Sequence, residues 1–143
     1  MRIRKLLAVV AAVACVGIGS CILRQNETDD LPRPDDVEAM RVRVYGPDLP
    51  AAKRDWCEVS PEHFASILAA MRPCHKDAEP AKWVVFGETE MTLRGGRHYG
   101  IWLYLTYSQT GAFSAGPTYE HRIYYRGGTD EGIRAAIREA CGN

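Results

Sequence analysis

Net charge is the first thing missing: across 143 residues, 18 Lys and Arg offset 18 Asp and Glu. No run of basic side chains forms the stripe a nucleic-acid surface needs, so nucleic acid is not an expected partner. Catalytic signatures are missing as well. There is no GxSxG, phosphate loop, dinucleotide fingerprint or HExxH, and His63, His98 and His121 follow no metal-ligand spacing. Neither a cofactor nor a metal is expected. Internal repeats and low-complexity tracts are also absent, which argues against a solenoid or a disordered array.

Charge is locally absent from Leu6 to Leu23, and this gap is the most informative stretch of the chain. Arg2, Arg4 and Lys5 precede it, and the acidic, polar Asn26 to Asp30 follows closely. A basic start, an apolar run and a small-residue cysteine site read as an export or anchoring segment, not as part of a folded core. Ile18-Gly19-Ser20-Cys21 resembles the lipobox of bacterial lipoproteins, an aliphatic residue and two small residues before the cysteine that receives the lipid. The resemblance implies cleavage before Cys21 and lipidation of Cys21. Two other routes stay open. The run could remain as a transmembrane helix, since at ~1.5 Å per residue it reaches ~27 Å, close to the ~30 Å hydrocarbon core. It could also be cut after Ala12-Val13-Ala14 by ordinary signal peptidase. All three place Gln25 to Asn143 outside, because the basic residues lie before the run and only Arg24 closely follows it. The expected location is a bacterial membrane, with the domain on the extracytoplasmic side, in the periplasm or at the cell surface.

Beyond residue 20 the chain keeps 15 basic against 18 acidic side chains, a formal charge of −3. Residues 24–40 are rich in Asp, Glu and Pro and have almost no large apolar side chain, so they read as a linker that cannot offset its ordering entropy by burial. The expected organisation is a signal peptide or anchor at 1–23, a flexible acidic, proline-containing linker at 24–40, and one small domain at 41–143. About 110 residues suffice for a single core.

Arg41-Val42-Arg43-Val44-Tyr45 alternates as a strand does, with Val42 and Val44 facing in. Ser60-Pro61-Glu62 opens a helix with a hydroxyl cap, proline at the first helical position and an acid near the positive end. Phe64, Ile67, Leu68 and Met71 form its apolar face, and Pro73 stops it. Glu88 to Arg94 alternates, Gly95-Gly96 supplies a hairpin turn, and Tyr99 to Tyr107 returns as a second strand. A loop at 108–117, with Phe113 at its middle, leads to a third strand, Tyr119 to Arg126, ended by Gly127-Gly128. Thr129-Asp130-Glu131 opens a last helix whose Ile133, Ala136, Ile137 and Ala140 share a face. The expected fold is α+β: a two-layer unit in which two helices cover an antiparallel sheet of three to four strands, preceded by the apolar N-terminal helix.

Alternation then divides the sheet. If Met91, Leu93, Ile101, Leu103, Leu105, Ile123 and Tyr125 face the helices, Glu88, Glu90, Arg94, Trp102, Tyr104, Arg122, Tyr124 and Arg126 face the other way. Aromatic rings bounded by Arg and Glu could stack on a sugar or seat a peptide, so Trp102, Tyr104, Tyr124, Arg122 and Arg126 are the candidate ligand-binding residues. Such a face also stabilises itself through cross-strand pairs without any ligand. Cys57, Cys74 and Cys141 are the disulfide candidates of the domain, read as one pair and one thiol with the partners left open. The expected function is a non-catalytic binding or structural module with an envelope protein or glycan as partner, beside the membrane itself. The alternative is a small extracytoplasmic enzyme or metal-binding protein using Cys74 and His75.

Overall fold

The computed structural model describes residues 30–46, 55–80, 82–106 and 108–142. The apolar run, Cys21 with its lipobox, and linker positions 24–29 lie outside the described residues. Among the described residues no helix is long and apolar enough to cross a membrane.

In chain order the elements are β1 (Val37–Val44), β2 (Cys57–Glu58), α1 (Phe64–Ala70), β3 (Cys74–Lys76), β4 (Val84–Leu93), β5 (Arg97–Leu105), β6 (Thr110–Gly116), β7 (Ile123–Thr129) and α2 (Asp130–Cys141). Single 3-10 turns sit at Pro34–Asp36 and Pro61–His63. All seven strands join one sheet in the order β2-β1-β4-β5-β6-β7-β3, and every neighbouring pair is antiparallel. The fold expectation of three to four strands under two helices is therefore overturned: seven strands dominate the fold, and the two helices accompany a much wider sheet.

Each extra strand escaped for a physical reason. The two residues of β2 and three of β3 are too few to display a period. In β6, Thr110-Gly111-Ala112-Phe113-Ser114-Ala115-Gly116 has the small, glycine-rich composition of a loop, yet it sits in the sheet between β5 and β7. Phe113 is therefore not at a loop tip but fully buried. β1 starts at Val37, and Leu31 is already buried, so the ordered packing reaches back into residues expected to be linker. A register shift between Val37 and Ala39 breaks the alternation there, which hid the strand start.

One face of the sheet carries the core. Met40, Val42 and Val44 of β1, Met91 and Leu93 of β4, Ile101 and Leu103 of β5, Phe113 and Ala115 of β6, and Tyr125 of β7 are buried together with Ile67, Leu68, Ile133 and Ile137 of the helices. The predicted helix-facing side is right in phase for most positions. Leu105 and Ile123 are the exceptions, 45% and 44% exposed. Arg94 falls in the hairpin turn rather than on β4, where Gly95 and Gly96 take φ of +82° and +73°.

Helix ends decide where the layers join. α1 is preceded by a 3-10 turn and Ser60 makes no side-chain cap, so the expected hydroxyl cap is absent. Thr129, by contrast, caps α2 as expected: its Oγ1 accepts the Gly132 N–H at 3.0 Å, with Asp130 and Glu131 in the first turn. Gly127 and Gly128 do not end β7 but let it pass the α1 exit, because a Cβ on Gly127 would overlap the Met71 carbonyl and Cys74. Cys57 and Cys141 form a disulfide with Cα atoms 6.0 Å apart, tying edge strand β2 to the last turn of α2. Cys74 is buried and stays outside this bridge.

Two phenols, Tyr125 in the core and the partly buried Tyr99 packed against it, predict an alkaline limit. Burial, then the nearby Asp30, pushes Tyr99 up to about 12, and burial followed by the neighbouring Tyr99 and Asp30 raises Tyr125 as well. Their folded values lie above the unfolded value near 10, so their contribution is fully present below pH 10 and is lost as pH rises through about 12. Thermal midpoints should hold below pH 10 and fall above it, and Tyr99→Phe should blunt that fall. A fall equally steep in the Phe variant would refute this origin.

Candidate functional site

Strand register arranges the open face into rows. Arg41, Glu90, Gly100 and Gly116 lie side by side; next come Arg43, Glu88, Trp102, Ser114 and Tyr124; then Val85, Tyr104, Ala112, Arg126 and His75. Large rings from β5 and β7 thus flank a central strand that offers only Ala112, Ser114 and Gly116 on this side. The small residues that disguised β6 as a loop are the ones that make room for the aromatics.

The five predicted ligand-binding residues all lie on this side of the sheet, in two clusters. In the first, Tyr104 sits 5.3 Å from Trp83 and 6.0 Å from Tyr124, and Arg126 lies 4.9 Å over the Trp83 ring. In the second, Trp102 meets Tyr119 edge-on at 5.3 Å and 83°, and the Arg122 guanidinium stacks 3.5 Å over Tyr119 and 5.2 Å from Tyr124. Sequence reasoning missed Trp83 and Tyr119 as members. Trp83 precedes β4, and Tyr119, expected to open the third strand, instead lies before β7, which starts only at Ile123. Trp56 was missed as Trp83 was: it sits just before β2, with Arg41 and Arg43 at 4.4 and 4.6 Å from its ring.

Much of the charge on this face is already matched. Arg41 bonds Glu90 through Nε at 2.8 Å and Nη2 at 2.5 Å, Arg43 pairs with Glu88, and Arg126 donates to Asp77 at 2.7 Å. Asp77 is held below the ordinary carboxylate range, first by Arg126 and then by the Ala78 N–H. Arg43 is raised, chiefly by its bond to Glu88. Tyr45 donates to Glu88 at 2.7 Å and is raised by burial and by that carboxylate. Arg122 is different: among the described residues it has no carboxylate partner, and its Nη groups donate to the Tyr119 carbonyl and, at 2.6 Å, to the Tyr124 hydroxyl. Burial opposes its charge while Tyr104, Tyr119 and Tyr124 favour it, and the net shift is upward. Tyr124 donates to Glu79 at 3.1 Å and is raised by burial first, then by Tyr104.

Accessibility separates the candidates. Tyr104 is only 4% exposed and shares a hydrogen bond with Ser114 at 2.8 Å, so it supports the face from within. Trp102 is partly exposed, and its six-membered ring covers Gly100: a Cβ there would meet Cη2 at 2.8 Å. Beside it lies a depression of about 250 Å³ lined by Glu90, His98, Gly100, Trp102, Pro117 and Thr118. A second, of about 260 Å³, shares Glu90 and His98 and extends to Arg41 and Glu58.

The Cys74 and His75 pair separates on β3. Cys74 turns into the core while His75 is exposed opposite Arg126, as alternation along a strand requires. Among the described residues no three His, Cys, Asp or Glu side chains gather closely enough to hold a metal ion.

No family model, curated protein or solved structure matches this chain.

Proposed function

We propose that this chain is a non-catalytic binding module of the bacterial envelope, anchored by its N-terminal segment and taking its ligand on the open sheet face beside Trp102. The observation that carries this reading is the aromatic corner: a partly exposed Trp102 ring laid over Gly100, with Tyr119, 47% exposed, standing edge-on beside it. Exposed aromatic rings next to arginine are what binding hot spots are made of. Export rests on the apolar run and the lipobox-like Ile18-Gly19-Ser20-Cys21. Intact mass of the membrane-extracted protein separates lipidation at Cys21, a retained helix and simple cleavage.

A module of this kind is tested with the full chain in detergent. Trp102→Ala should lose retention on an isolated envelope fraction by about tenfold, the effect of a typical hot spot. Tyr104→Phe, which keeps the buried ring, should retain it. Equal retention by a Trp102→Ala protein with an unchanged circular dichroism spectrum would sink the reading. The enzyme alternative has less support, because Cys74 and His75 point to opposite faces of β3.

A further inference from the structure

We infer that the depression over Gly100 is a saccharide subsite, with the Trp102 ring as its stacking platform and Glu90, His98 and Thr118 as its polar rim. The inference rests on the binding reading above and assigns that site a ligand class.

Three observations converge on a neutral or amino sugar. First, the register pairs Gly100 with Gly116; the Trp102 indole lies over Gly100, the His121–Arg122 backbone crosses over Gly116, and the depression opens on the Gly100 side, beside the indole. Tyr119 stands at 83° to that ring. Tyr119 and the Arg122 stacked on it lie outside the lining of the depression, whose one large flat wall is the Trp102 indole; such a wall suits a disc-shaped ligand with an apolar face, as a pyranose has.

Second, the backbone under the site is spent. β5 is paired along this stretch with β4 on one side and β6 on the other. An extended peptide gains much of its affinity by adding main-chain bonds to an open sheet edge, and no such edge exists at Gly100. Recognition here must come from stacking and side chains, which favours a ligand rich in hydroxyl groups over a peptide.

Third, the charges select. Around the joined depressions two carboxylates, Glu58 and Glu90, stand against one guanidinium, Arg41, which already bonds Glu90. The remaining lone pairs on Glu90 accept from hydroxyl or ammonium groups. A uronic acid would meet excess negative charge. One stacked ring with a few hydrogen bonds corresponds to a Kd of about a millimolar.

The test is a two-dimensional NMR titration of the full chain in detergent. The probes are a tetramer of N-acetylglucosamine, a tetramer of glucosamine, an oligogalacturonate and an unrelated decapeptide. The indole N–H of Trp102 and the amides of Gly100 and Gly116 should shift with the first two, with binding about fivefold weaker for the acidic probe. Trp102→Ala should weaken binding about tenfold, and Trp102→Phe, which keeps a smaller ring in a folded protein, should fall between. No shift with any saccharide at tens of millimolar overturns the inference, as do shifts that persist in Trp102→Ala or equal binding of the acidic probe. Shifts with the decapeptide alone overturn the saccharide assignment and leave the binding module standing. If neither saccharide nor peptide binds and envelope retention ignores Trp102→Ala, both readings fall.

Discussion

Replacing Cys57 and Cys141 together by serine is expected to destabilise the domain by about 3–5 kcal/mol. The bridge spans 84 residues of sequence. Closing a loop of roughly 85 residues removes denatured-chain entropy equivalent to about 4.5 kcal/mol at 25 °C. Against a typical domain stability of about 5–15 kcal/mol, that is a large share. The loss should also be uneven. β2 pairs with β1 through only two residues, Glu58 with Arg41 and Cys57 with Val42, and the disulfide holds the other side of that short strand. Without it Trp56 should leave its place against Arg41 and Arg43, at the border of the open face. Urea unfolding gives the global term, and the emission of Trp56 in a chain with Trp83 and Trp102 replaced by Phe gives the local one. An unchanged midpoint in the double serine variant would show that the bridge constrains nothing the rest of the fold does not already hold.

The same region shows what residue patterns disclose and what they conceal. The Gly95-Gly96 turn, the Thr129 cap and the inward set Met91, Leu93, Ile101, Leu103 and Tyr125 were legible because each rests on local chemistry or on a long alternation. β2 and β3 were not, since strands of two and three residues exist only through partners distant in sequence: β1 for one, β7 for the other. The disulfide was narrowed to three cysteines, but choosing Cys57 with Cys141 needed the approach of β2 to the end of α2, which no spacing encodes. At the candidate site, alternation placed Trp102, Tyr104, Tyr124 and Arg126 on one face, but it could not rank them. Tyr104 is buried against Ser114, whereas Trp102, paired with Glu88 and Ser114, remains partly open with its ring laid over Gly100 of its own strand. Trp56 and Trp83 joined from flanking segments, where no period applies, and Tyr119 joined from ahead of β7, not from the strand start expected for it.

Phe113→Ala provides the sharpest test of the corrected topology. A phenylalanine in the middle of a surface loop could be truncated at a cost within about 0.5 kcal/mol. In β6, Phe113 is 0% exposed, lies opposite Leu103 and Tyr125 on the neighbouring strands, and stacks on Tyr125 at 5.5 Å and 17°. Its removal should cost about 3–5 kcal/mol, the range for truncating a buried aromatic. The flanking residues make recovery harder: Ala112, Ser114 and Ala115 are too small to refill the cavity, and β6 is held on both sides by β5 and β7. Phe113→Leu, which keeps most of the volume, should lose well under half as much. The open face should respond too, because the rings of Trp102, Tyr104 and Tyr124 are positioned around the side of β6 opposite Phe113. A displaced β6 would therefore move the Trp102 indole N–H resonance without any change to Trp102 itself. Chemical denaturation and that resonance together decide the matter: a cost near zero with an unmoved indole would return residues 108–117 to a loop and dismantle the face built around them.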